Sequence, residues 1–134
     1  MPSGALVVNA LRGLDFEFEH LSQRDVTGMR GFAPEIVIDV VTGSLLEVTM
    51  LCSTSMRRSS IIRSSLCMAT LADVLGVDFT GWLARQMAKH DNDARWKASR
   101  RFGSSRMSAE LLSLDAMVIT IQVPYSVPTA PNVA

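Results

Sequence analysis

Residues 35–51 read EIVIDVVTGSLLEVTML, two β-branched, apolar runs separated by Thr42, Gly43 and Ser44. Two such runs joined by a short glycine-containing link form a β-hairpin, because glycine supplies the turn and branched side chains fit a pleated, half-buried surface. Pro34 suits the entrance of the first strand, where a missing N–H costs least. Antiparallel pairing is therefore the nucleus from which the rest of the chain is placed.

Upstream, LDFEFEH (14–20) alternates Leu14, Phe16 and Phe18 with Asp15, Glu17 and Glu19, the period of two of a half-buried strand. ALVVNAL before it reads as a short strand or a lead-in. QRDVTGMRG (23–31) has two glycines, mixed charge and no periodicity, and reads as loop. Downstream the period changes. Ser59 or Ser60 caps a helix from about Ile61 to Leu75, with Gly76 as its stop. Apolar residues go most of the way round it, which predicts a buried helix.

Asp78 caps a second helix, from Phe79 to about Arg101. Its core stripe is Phe79, Leu83, Met87, His90, Ala94 and Ala98, and HDND (90–93) is its weak point. FGSSRMS (102–108) is a link and SAELLSL a helical turn or two. MVITIQVPY (117–125) is a strand, ended by Pro124. The expected fold is one α+β domain over 1–125, a small, mostly antiparallel sheet of roughly three to five strands packed against two main helices. Residues 126–134 are expected to form a disordered Pro-rich tail.

Composition agrees with one folded domain. Of 134 residues, 48% are hydrophobic and 19% charged, which excludes overall disorder. Aromatics are only 6% while Met numbers 8, so the core is aliphatic and Met-filled. Cys52 and Cys67 are too few for a disulfide framework and suit a reduced compartment. The opening residues lack the pattern of a signal peptide, and no apolar run approaches the ~20 residues of a membrane span. Pro2 excludes N-myristoylation. A cytoplasmic protein is expected.

The zero net charge hides a segregation. Residues 1–56 carry three basic and seven acidic side chains, whereas residues 57–106 carry ten basic and four acidic. Such asymmetry points to an anionic partner for the middle of the chain, or to acid-to-base contact between copies.

Catalytic patterns are missing. VVTGSLLE has neither the glycines nor the lysine of a phosphate loop, and no Gly-x-Ser-x-Gly elbow occurs. His20, His90, Cys52 and Cys67 share no short ligand spacing, so no metal or cofactor is expected. An enzyme site would have to converge from scattered residues such as Glu17, Asp39 and His90. Asp15, Glu17 and Glu19 are either a solvated strand face or a negative strip that receives a neighbour's positive helix, a self-association surface.

The basic residues are Arg57, Arg58 and Arg63 at the start of the first helix, then Arg85, Lys89 and Arg100 with Trp96 on one side of the second. Arg95, Lys97 and Arg101 lie adjacent. Basic residues interleaved with an exposed aromatic suit RNA, through phosphate contact and base stacking, or an anionic lipid surface. Trp96 fits a core position as well.

The tail contains Pro128-Thr129-Ala130-Pro131, which resembles the late-domain motif of enveloped viruses. That resemblance implies recruitment of the host ESCRT-I budding machinery, a pre-extended Pro-rich segment docking in a groove. With it, the chain resembles small matrix proteins of negative-strand RNA viruses. In outline the element order is similar to bornavirus-type matrix proteins, from which it departs in the final strand and the tail position. The resemblance implies a non-enzymatic, homo-oligomeric structural protein without a small-molecule substrate, at the inner membrane face or in a virion. Head-to-tail contact between acidic and basic faces would make rings or open arrays. The alternatives are a nucleic-acid-binding accessory protein or a protein-interaction adaptor of phage or bacterial origin.

Overall fold

The computed structural model describes residues 3–23, 26–33, 36–53, 58–113 and 116–124. The hairpin is present: β3 (Ile36–Thr42) and β4 (Leu45–Ser53) pair antiparallel, Val40 opposite Val48. It sits inside a larger sheet than expected. β1 (Glu17–Gln23) and β2 (Val26–Ala33) precede it, while β5 (Trp96–Phe102), β6 (Ser105–Ser113) and β7 (Ala116–Pro124) follow. The order across the sheet is β1-β2-β3-β4-β7-β6-β5, every pairing antiparallel.

Three helices, α1 (Gly4–Arg12), α2 (Arg58–Leu75) and α3 (Thr80–Lys89), accompany it. The expectation of roughly three to five strands against two main helices is therefore corrected to seven strands in one sheet with three helices, counted over the described residues.

Each difference has a local cause. ALVVNAL is helical because the Ser3 side chain accepts a hydrogen bond from the Leu6 backbone N–H, and Val7, Val8 and Leu11 fall on one buried face. Strand β1 starts later than read, since Leu14 and Asp15 turn the chain out of α1, Asp15 at φ 65. Residues 26–33 are strand, and their glycines serve packing. A Cβ on Gly31 would stand 2.6 Å from the Phe18 ring, and one on Gly28 3.1 Å from Leu21. The absent side chains let Phe18 and Leu21 lie across β2.

Helix α2 is one-sided: Cys67, Met68, Leu71 and Leu75 are buried and Leu66 is exposed. Gly76, at φ 66, ends it as read. The second helix stops at Lys89, where His90–Asp93 break it; Phe79, not Asp78, is its N-cap. Residues 96–113 form a hairpin, with Gly103 at φ 63 in its tight turn.

The helices cover one face of the sheet. On that face Ile38, Met50, Ile119 and Ala109 stand in one register row and are buried. Val7 and Leu11 of α1, Cys67 and Leu71 of α2, and Trp82 and Leu83 of α3 complete the core.

Candidate functional site

The two outer strands carry opposite charge. Glu17 and Glu19 project from β1 on the face turned away from the helices, both exposed. Asp15 does not join them, because it lies in the turn before the strand. Opposite Glu19 stands Arg30, whose guanidinium is held by both carboxylate oxygens of Asp39 at 2.7 and 3.0 Å. That hydrogen bond, with the Asp39 charge, raises the Arg30 pKa.

At the other margin Lys97 and Arg101 project from β5 on this same face. Arg101 stands directly opposite Arg106 of β6. Arg100 turns to the helix side, with its guanidinium carbon 5.1 Å from the Phe102 ring centroid. Arg95 precedes the strand, and a shallow cavity of about 320 Å³ opens there, lined by Arg95, Trp96, Lys97, Glu110, Leu111 and Leu112. At about 4.8 Å per strand step, the acidic and basic margins stand about 29 Å apart.

The basic residues read onto the second helix therefore do not share it. Arg85 and Lys89 are exposed on α3, while Lys97, Arg100 and Arg101 belong to a strand. Of the two readings of Trp96 the core one holds and the exposed stacking one does not: it is 8% exposed and stacks on His90, ring centroids 5.1 Å apart. His90 Nδ1 lies 2.7 Å from Asp93 Oδ2, which pins the link between α3 and β5. Arg58 and Arg63 fall in the first two turns of α2; Arg57 and Pro128, Thr129, Ala130 and Pro131 lie outside the described residues. The acidic and basic margins are brought to opposite ends of one sheet, which spacing along the chain does not reveal. Arg106 was missed as a site residue; two-residue turn chemistry at Gly103-Ser104 was the signal that would have paired it with Arg101.

The scattered polar residues do not converge. Glu17 and Asp39 lie on the open sheet face, whereas His90 packs on the helix side against Trp96. Among the described residues no three His, Cys, Asp or Glu side chains cluster as a metal site would require. Cys52 and Cys67 are buried, and burial pushes their thiols up to about 11 and about 12, so both are protonated and poor nucleophiles at neutral pH. A second groove, about 290 Å³, lies between α1 and the β1–β3 strands and is lined in part by Asn9, Arg12, His20 and Thr42. None of the described helices is long and apolar enough to cross a membrane. No family model, no curated protein and no solved structure matches the chain.

Proposed function

We propose that this chain is a non-enzymatic, self-assembling structural protein of matrix type, whose copies join through oppositely charged poles and whose basic pole engages RNA. One observation carries the reading: the outer strands of a single sheet are charged with opposite sign, Glu17 and Glu19 on β1 against Lys97, Arg100 and Arg101 on β5. Each margin repels its own kind and attracts the other, so association between unlike poles is favoured over association between like ones. The expectation of a negative strip meeting a positive helix becomes one of a negative strand meeting a positive strand.

RNA is favoured over a lipid surface because the basic hairpin offers charge with little apolar surface, Leu112 being its one exposed large apolar side chain among the described residues. Trp96 and Met107 are buried, and Phe102 is half-buried beside Arg100. With Trp96 in the core, contact is to phosphate, without base stacking and without sequence preference. In this reading the tail string is the segment offered to a host budding factor.

Light scattering across salt concentrations tests the assembly. A mass above the monomer at low salt, falling as salt screens the poles, is the expected result. A strict monomer at high protein concentration and low salt ends the reading. Titration with homopolymer RNA and with anionic vesicles separates the two anionic partners: RNA should bind with a steep salt dependence, and binding to vesicles alone would replace RNA as the ligand.

A further inference from the structure

The sheet face away from the helices carries an apolar row that no described element covers. Phe32, Val37, Leu51 and Val118 stand side by side across β2, β3, β4 and β7. Phe32 and Leu51 are 41% and 43% exposed. A contiguous exposed apolar row with a charged surround marks a contact surface.

Its surround has two signs. Among the described residues of β1–β3 on this face, Glu17, Glu19 and Asp39 outnumber Arg30; on β5 and β6, Lys97, Arg101 and Arg106 outnumber Glu110. A partner of uniform sign, such as a nucleic acid or an anionic membrane, matches one end and clashes with the other. A second copy turned end for end matches both.

We infer that this face binds the same face of a second copy, about a two-fold axis running along β4. Strand β4 holds the middle place in the sheet order, so the rotation lays β1 over β5 and β3 over β7 of the second copy. Val37 then meets the partner's Val118, Leu51 meets the partner's Leu51, and Glu17 comes over the partner's Lys97. Phe32 lies over the partner's Glu110, and the two copies of Glu47, each accepting a hydrogen bond from Gln122 Nε2, face each other on the axis as the one like-charged pair among the described residues. Sheets stacked this way sit about 10 Å apart with aligned strands, the geometry of a β-sandwich. In the neighbouring row the middle positions, Thr49, Thr120 and Ser108, are small and hydroxylic and leave room for that approach, while Glu19, Arg30 and Asp39 stand at its acidic end. Arg30 and Asp39 enter the contact already paired, so neither brings an uncompensated charge.

The inference rests on the self-assembly reading and names the surface where copies meet. It makes the first assembled species a closed dimer, in which acid meets base twice. An edge-to-edge chain, by contrast, leaves Leu51 about three strand steps, or about 14 Å, from either margin.

The test uses the full chain. Leu51→Cys, treated with a bis-maleimide of about 8 Å span, should give a covalent dimer in high yield, because the axis brings the two sites within one sheet spacing. Met87→Cys, exposed on α3, should not. Leu51→Arg, checked for folding by circular dichroism, should weaken dimerisation about tenfold or more. If wild type associates at low salt while Leu51→Cys fails to cross-link and Leu51→Arg associates as wild type does, this surface is wrong and self-assembly stands. If wild type stays monomeric, both fall.

Discussion

Arg101 of β5 and Arg106 of β6 stand directly opposite each other, two like charges beside a tight turn. Opposed like charges on neighbouring strands destabilise a sheet, so this hairpin tip is less stable than an uncharged equivalent. A phosphate bound between the two guanidinium groups, as the RNA proposal requires, would relieve the repulsion. Arg106→Gln should therefore raise the stability of the free protein by roughly 0.2–1 kcal/mol. It should also lower the slope of RNA affinity against salt by about one. Urea denaturation and a salt series of binding titrations read the two effects separately, and their opposite signs distinguish a ligand site from a packing site.

Gly31 should tolerate no side chain. An added Cβ would sit 2.6 Å from Phe18 Cε1 and Cζ and 3.0 Å from Ile38 Cγ2. Gly31→Ala should cost roughly 1–3 kcal/mol as overpacking, measured by urea denaturation. Gly43 has nothing within 4 Å of the same hypothetical atom and no positive φ. Gly43→Ala should be neutral or stabilise by up to about 1 kcal/mol, through the unfolded chain.

Trp96 separates a core role from a nucleic-acid role. It is buried and stacked on His90 at the start of β5, at whose other end the Phe102 ring meets Trp82 edge-on. Trp96→Ala should cost roughly 3–5 kcal/mol. If the protein binds RNA as proposed, Trp96→Phe, which keeps an aromatic core, should leave that affinity within about twofold, since phosphate contact does not use the ring.

The buried thiols predict an alkaline limit. Cys52 and Cys67 are raised in the folded state from an ordinary 9.0 to about 11 and about 12. A raised pKa means that the folded chain keeps protons which the unfolded chain releases. The stability associated with these thiols is thus complete below pH 9 and is lost as pH rises from 9 through 11 and 12. Melting temperatures under reducing conditions should fall across that window, and Cys52→Ala/Cys67→Ala should flatten the fall. At pH 8 a thiol reagent should label neither site in the folded protein.

The hairpin of β3 and β4 was legible because its branched runs and short glycine link agree at every level of reading. Strand β7 was legible for the same reason. Strand β2 was not, because Gly28 and Gly31 look like loop until Leu21 and Phe18 are seen lying across them. Helix α1 was hidden by its adjacent valines, and only the Ser3 cap marks it. The second helix was drawn too long because Ala94 and Ala98 continue a spacing of four through a sequence that alternates, from Trp96 to Phe102, at a spacing of two. That error put Arg100 on the wrong element and left Trp96 open between an exposed face and the core. Charge segregation along the chain was visible, but its conversion into two opposite margins depends on strand order, which periodicity does not encode.

Strand β7 lies between β4 and β6, although it follows both in the chain. A chain that ended before residue 116 would have every strand of the β1–β4 meander and the β5–β6 hairpin but a gap between them, which residues 116–124 close as the last stitch. Met117, Ile119, Ile121 and Val123 then bury their side chains at once. Chains truncated before this stitch should expose two unsatisfied strand edges and draw chaperones, and adding residues 116–124 as a separate peptide should fill the gap.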